Sequence, residues 1–138
     1  MEAVQPDPVE LACSAAESFT KIYFENLDKK RLLLSKLYLD NAALVWNGNG
    51  FSGCDSIVKH LQNLPNSHHT ILSLDAQKVP ELATGNRPAF IVQVFGFVKY
   101  EIFNEKRSFH QNFMIVSDEE NKWKIASDCM RIQESIPG

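Results

Sequence analysis

One carboxylate, one amide and two phenols are the side chains of this sequence whose types and spacing could support proton transfer. Asp128 and Gln111 fall on the same side of two neighbouring predicted strands, and Tyr23 or Tyr38 could face them from another element. A carboxylate and a phenol inside an apolar pocket suit general acid–base catalysis. No second acid or base is expected opposite them. Three apolar side chains are expected to fill the same pocket: Phe109, Phe113 and Met130. An enzyme is therefore one hypothesis, and a filled core is the other.

A glycine-rich segment from Gly48 to Gly53 matches the dinucleotide-binding pattern G-x-G-x-x-G. That motif belongs to a unit in which parallel strands alternate with helices, whereas this chain continues into consecutive antiparallel strands. Asp55 would also lie where the pyrophosphate binds. We therefore interpret these glycines as a tight connection and predict no cofactor.

Histidines and cysteines predict neither a metal centre nor a disulfide. His68 and His69 are adjacent, but no acidic, cysteine or histidine residue at helical or strand spacing completes a site. Three cysteines are widely spaced and form no C-x-x-C pair: Cys13, Cys54 and Cys129. For His110 we expect a packed or hydrogen-bonded role rather than a catalytic one.

Length predicts a single domain over residues 1–138, with residues 1–7 as a flexible N-terminus. The net charge of -3 argues against a general nucleic-acid binder, because phosphate neutralisation requires clustered Lys and Arg. We therefore predict no direct contact with nucleic acid. No signal-like or membrane-spanning segment is recognised, so an intracellular, soluble protein without a membrane partner is expected.

The apolar spacing predicts three helices followed by an antiparallel meander. The helices are a long one from the Asp7–Pro8 start to about Leu27, a second one capped by Asp28 that carries Leu32 to Tyr38, and a third over Asp55–Leu64. A short strand, Ala42–Asn47, and a loop, Gly48–Gly53, separate the last two. Strands with a period of two follow over residues 69–79, 89–103, 107–117 and 122–133. This order predicts an α+β fold with three helices packed on one face of a curved antiparallel sheet.

The other face of that sheet is predicted to be a protein–protein interface. If Ser117 pairs with Lys122, both faces of the last two strands are at least half apolar, yet three helices can cover only one. The uncovered face is predicted to carry Gln93, His110, Asn112, Met114, Trp123, Ile125, Ser127, Cys129 and Arg131. Arg131 should meet a carboxylate of the partner, because an unpaired buried cation is costly. The alternative is that Arg131 lies at the rim of the interface and stays solvated.

Leucines in the segment Leu32–Leu39 have the spacing of a nuclear export signal. The alternative is that they are buried inside the second helix.

Several short motifs together resemble the nuclear transport factor two family over about residues 12–133. They are Trp46-Asn47-Gly48, Gly53, Leu61-x-x-Leu64-Pro65, Asp75-x-Gln77, Gly96, Phe109-x-Gln111-x-Phe113 and Trp123-Lys124-Ile125 with Asp128-Cys129-Met130-Arg131. Three runs resemble the branch of related export proteins, the small partners of the nuclear RNA export factor called TAP. They begin at Asp28, Leu44 and Trp123.

The resemblance implies a cone-shaped, non-enzymatic domain that heterodimerises, sheet against sheet, with the matching domain of a TAP-like nuclear RNA export factor. It further implies that the heterodimer carries messenger RNA through nuclear pores by contacting phenylalanine-glycine nucleoporins, shuttling between nucleus and cytoplasm. A homodimeric carrier of GDP-bound Ran is the alternative within the family. Only one acid, Glu101, lies in the corresponding segment 99–104, which weakens that alternative. A small isomerase or dehydratase is the enzymatic alternative, because this fold also hosts such enzymes.

Overall fold

The computed structural model describes residues 8–80, 87–102, 105–118, 120 and 122–133. Its helices are α1 (Pro8–Lys29), a 3₁₀ helix (Arg31–Lys36) and α2 (Cys54–Gln62). Its strands are β1 (Tyr38–Trp46), β2 (Asn49–Ser52), β3 (Ser67–Lys78), β4 (Ala89–Tyr100), β5 (Lys106–Ser117) and β6 (Trp123–Ile132). The predicted flexible segment 1–7 and the Asp7 cap lie outside the described residues. No described helix has both the length and the apolar character that crossing a membrane requires.

All six strands form one sheet in the order β2-β1-β6-β5-β4-β3. Strands β3 to β6 pair as the predicted antiparallel meander, and β1 joins β6 in parallel. The helices pack on one side, which we call the inner face, and the main core lies between the helices and that face. The opposite side is the outer face. This arrangement confirms the predicted α+β fold with helices on one face of the sheet.

The second predicted helix is wrong in type and extent. Helix α1 continues through Asp28 to Lys29, so Asp28 caps nothing there. The leucines that follow form a short 3₁₀ helix, and Tyr38 already belongs to β1. Consecutive leucines cannot all point inward from one turn: Leu34 is buried, whereas Leu32 is 80% exposed. The export-signal hypothesis for this segment stays a prediction.

The predicted loop Gly48–Gly53 is instead the second half of a tight hairpin. Asn47 and Gly48 both have positive φ angles, 46° and 85°. Two such residues in succession form the turn whose twist matches that of the flanking strands. Strand β2 therefore pairs directly with β1, from Trp46 opposite Asn49 to Ala43 opposite Ser52.

A β-bulge in β6 corrects the predicted faces of the last hairpin. Ser117 pairs with Trp123 rather than Lys122, and the register shifts between Met114 and Ile115, leaving Ala126 as the extra residue. Ile125 is consequently turned inward and is 0% exposed, and Trp123 packs against the main core. The placement of Trp123 and Ile125 on the outer face was wrong. Ala126, predicted on the inner face, packs instead against a small outer cluster with Val116.

Candidate functional site

The four predicted polar side chains form one hydrogen-bonded network in the core. The Tyr38 hydroxyl donates to Asp128 Oδ2 over 2.8 Å, and Gln111 Nε2 donates to Asp128 Oδ1 over 2.8 Å. The hydroxyls of Tyr23 and Tyr38 lie 2.9 Å apart. Since α1, β1, β5 and β6 contribute one residue each, the network joins the long helix to the centre of the sheet.

Burial determines the protonation of this network. It raises the pKa of the Asp128 carboxyl to about 6, against the lowering effect of the hydrogen bonds from Gln111 and Tyr38. Burial and the nearby Asp128 charge raise the pKa of both Tyr23 and Tyr38 well above the usual value. At neutral pH, most Asp128 side chains are therefore ionised and the neutral hydroxyls act as donors.

Solvent does not reach this network. Asp128 is 4% exposed, and Tyr23, Tyr38 and Gln111 are no more than 1% exposed. The three apolar side chains expected to fill the pocket are fully buried in the main core: Phe109, Phe113 and Met130. The sequence thus predicted the members of the cluster, and they lie in a filled core rather than in an open pocket. This arrangement has the character of a structural tie rather than an open site for substrate.

Asp28 and His69 form a second buried pair, which the sequence analysis missed. His69 Nδ1 lies 2.6 Å from Asp28 Oδ1, and the His69 backbone N–H donates to Asp28 Oδ2 over 2.9 Å. The Ser67 hydroxyl also donates to this carboxylate, over 2.8 Å. Although partial burial opposes the charge, the hydrogen bonds from His69 and Ser67 hold the pKa of Asp28 below its usual value. The sequence signal for this pair is weak, because the two residues are 41 positions apart.

Arg31 fastens the same corner of the fold. Its guanidinium donates to the backbone carbonyls of Leu27, Leu64 and Pro65 and to the Ser67 hydroxyl. These bonds join the end of α1 to the connection between α2 and β3. Among the described residues, no group of three His, Cys, Asp or Glu side chains could hold a metal ion.

The outer face carries the other predicted interface residues. Strand register places their side chains in three successive rows across β6, β5 and β4. The rows are Ser127-Met114-Ile91, Cys129-Asn112-Gln93 and Arg131-His110-Phe95. Strand β1 extends the first row with Ala43 and the second with Val45. Seven of the nine predicted residues thus lie on this face, and the exceptions are Trp123 and Ile125.

Large apolar side chains of the outer face are open to solvent. Val45 and Ile91 are each 41% exposed, and Met114, Phe95 and Phe97 are partly exposed. No described element covers them, since all described helices pack on the inner face. Between Val45, Ile91 and Met114 lies a depression of about 350 Å³. An uncovered apolar sheet face of this kind is typical of a protein–protein interface.

Arg131 stands at one end of this face beside a second, larger groove of about 520 Å³. Asn47, Phe95 and His110 line the groove with it. The His110 ring packs edge-on against Phe95, with ring centroids 5.2 Å apart, as a packed histidine would. Arg131 is exposed and has no ion pair among the described residues. It is free to bind an anionic group presented from outside.

Comparison with known proteins decides the family. Residues 15–132 match the nuclear transport factor 2 (NTF2) domain. The chain belongs to the nuclear transport factor 2 family. Human NTF2-related export protein 2 is 43% identical to it over 129 residues, which cover 91% of this chain and 90% of that protein. The family predicted from the ordered motifs is confirmed.

Solved structures show the same fold. Nuclear transport factor 2 from Cryptosporidium parvum superposes with a TM-score of 0.80 at 22% identity, covering 95% of this chain and all of that one. A chain of the Candida albicans Mtr2–Mex67 M domain complex superposes with a TM-score of 0.68 at 18% identity, covering 88% and 94%. At these identities the likeness concerns the fold.

One of the motifs that suggested the NTF2 family has a clear steric cause in the structure. Gly96 lies in β4 opposite Ile71, next to the bulge of β3. A Cβ atom on Gly96 would lie 2.0 Å from the carbonyl oxygen of Thr70, far inside van der Waals contact. Because a backbone oxygen cannot move aside cheaply, this position requires glycine.

Proposed function

We propose that this chain is the small, non-enzymatic subunit of a nuclear RNA export heterodimer. Its outer face pairs, sheet against sheet, with the NTF2-like domain of a nuclear RNA export factor. The heterodimer supports export of messenger RNA through nuclear pores by contacting phenylalanine-glycine nucleoporins, and the chain shuttles between nucleus and cytoplasm. The uncovered apolar outer face carries this proposal, because the folded domain leaves it exposed.

Two comparisons support an export role and this kind of partner. The human relative is named an export protein, and its identity extends over nine-tenths of both chains. The Candida structure shows a chain of this fold within the Mtr2–Mex67 M domain complex. Relatives that are 30% identical or more are thus named export proteins and nuclear transport factors.

The chemistry of the face supports a specific heterodimer. Its apolar side chains can exclude water, while its polar side chains, such as Asn112 and Gln93, can bond across the interface. Arg131 is placed to hold a partner carboxylate through two parallel hydrogen bonds, which its planar guanidinium allows and a lysine does not. These features lie in adjacent rows, so one flat partner sheet can meet them all.

The enzymatic alternative requires a feature that the described inner side does not offer, and the Ran alternative differs in what the chain binds. An isomerase or dehydratase would need solvent access to Asp128, which is 4% exposed. A Ran carrier would recover GDP-bound Ran from a lysate and form a homodimer. Either result, activity through Asp128 or capture of Ran, would replace the present proposal.

Reconstitution tests the proposal. The chain is mixed with the NTF2-like domain of the RNA export factor from the same organism, and the complex is measured by size-exclusion chromatography with light scattering. A one-to-one heterodimer is expected. A homodimer or two separate monomers would overturn the proposal.

A charge reversal tests the contribution of Arg131 to binding. Arg131→Glu should set two acids against each other and weaken the heterodimer by 2 kcal/mol or more, roughly 30-fold. The matched control is Lys36→Glu, which makes the same charge change at an exposed position on the helical side. Circular dichroism reports the fold. Unchanged affinity of Arg131→Glu, or loss of its fold together with the complex, would contradict this role.

A further inference from the structure

We infer that the depression in the outer face receives one bulky apolar side chain, aromatic or a large aliphatic one, from the facing sheet of the partner. This inference rests on the proposed heterodimer and specifies what the partner must present. The site is distinct from the Arg131 groove, which lies one row further along the strands.

Side-chain size creates the depression. In the first row, Ala43 and Ser127 are adjacent, and both are small and exposed. In the second row, Cys129 is the neighbour of Val45. The outward side chains of β6 at Ser127 and Cys129 are therefore short. Longer side chains flank them on the neighbouring strands: Val45 on β1, Ile91 on β4 and Met114 on β5. A hollow of about 350 Å³ results.

The lining selects the chemical class of the occupant. Its outward side chains are uncharged, and Val45, Ile91 and Met114 are apolar. Asp128 belongs to the floor, but its carboxylate is directed into the core, where Tyr38 and Gln111 donate to it. A charged occupant would lose its hydration here without gaining an ion pair, whereas an apolar side chain gains by leaving water.

The position of the depression suits an anchor side chain, because it lies within the sheet face and side chains of β1, β4 and β5 form its walls. Central, desolvated pockets of this kind hold the side chains that dominate interface affinity, which are often aromatic. The depression lies between the first and second rows of the face, so an anchor seated in it would also fix the register of the two sheets.

Filling the hollow from this side provides the test. Ser127→Phe places an aromatic ring in the depression and should preserve the fold, because Ser127 is exposed and phenylalanine is favoured in strands. We expect the affinity for the export factor's NTF2-like domain to fall at least about 30-fold, the loss of one hot-spot contact. The matched control, Ser18→Phe, makes the same substitution at an exposed position of α1 and should bind like the wild type.

Thiol protection gives an independent measurement on the unfilled site. Cys129 is exposed at the wall of the depression, whereas Cys54 is buried. In a Cys13→Ser chain, N-ethylmaleimide should alkylate Cys129 rapidly in the free protein and at least tenfold more slowly in the complex. Circular dichroism and thermal melting confirm that each variant is folded.

The outcomes separate this inference from the proposed function. Undiminished binding by folded Ser127→Phe overturns the anchor while the heterodimer stands. Equal alkylation of Cys129 with and without the partner overturns the anchor and the outer-face pairing together. No complex with the wild-type chain overturns both. Loss of binding in Ser127→Phe together with protection of Cys129 supports the anchor.

Discussion

Replacing Asp128 by asparagine tests whether the buried network holds the fold together although burial disfavours ionisation of its one carboxyl group. Burial raises the pKa of this carboxyl from 3.8 to about 6, so ionisation is less favourable in the folded chain than in the unfolded one. Asparagine keeps an oxygen that can accept from the Tyr38 hydroxyl, and it carries no charge. Gln111 Oε1 has no hydrogen-bond partner within the part of the chain that the structure describes, so the amide of Gln111 can turn to accept from the new side chain.

The sign of the pH effect follows from the raised pKa. The folded chain binds the proton more tightly than the unfolded chain, so Asp128 favours folding at low pH, and this contribution disappears as pH rises through about 6. The full difference corresponds to about 3 kcal/mol at 1.36 kcal/mol per pKa unit. Between pH 7.5 and 4.5 the expected change is about 2 kcal/mol, because the unfolded carboxyl is still mostly ionised at the lower value.

Urea denaturation of both chains across this pH range measures the effect. The free energy of unfolding of the wild type minus that of Asp128→Asn should rise by about 2 kcal/mol from pH 7.5 to 4.5. Other titrating groups cancel in this difference. Asp75→Asn, the same substitution at an exposed position of β3, is the matched control. If this difference in the free energy of unfolding does not change with pH, or falls on acidification, the raised pKa of the buried Asp128 carboxyl is refuted.

Two further predictions concern the sheet and its surface. Gly96→Ala should lower the free energy of unfolding by about 3 kcal/mol, because the added methyl group would collide with the Thr70 carbonyl; a urea titration that shows less than 1 kcal/mol would contradict this. The isolated chain should bind single-stranded RNA negligibly at physiological salt, given its net charge of -3; fluorescence anisotropy with oligouridine that shows micromolar, strongly salt-dependent binding would contradict it.

Local periodicity was sufficient to predict the meander but not the elements that depend on distant contacts. Strands β3 to β6 alternate strongly enough to be recognised, and their antiparallel pairing needs only short connections. The parallel pairing of β1 with β6 joins residues about 85 positions apart, and no local sequence pattern predicts it. The 3₁₀ helix was mistaken for an α-helix because its leucines are helix-forming by composition, while tertiary packing requires only Leu34 inside.

The candidate site divides in the same way. Alternation from Phe109 correctly assigned Gln111 and Asn112 to opposite faces of the sheet, and it correctly placed Asp128 on the same face as Gln111. It failed at Trp123 and Ile125, because a period of two is valid only while the strand is regular. One extra residue, Ala126, reverses every position before it. Nothing in the composition of this segment signals the bulge.

Strand β6 contributes to the stability of the domain and to its outer face through different residues. Beyond the bulge, its residues alternate between the buried network, through Asp128, and the outer face, through Ser127 and Cys129. Truncation of Asp128 leaves the donors of Tyr38 on β1 and Gln111 on β5 unpaired and therefore acts on folding. Outward substitutions meet solvent in the free chain and can act only on what the face binds. A β6 variant that unfolds the chain and one that weakens a complex should thus occupy alternate positions, so the pattern of effects along this strand distinguishes an interface from a surface with no partner.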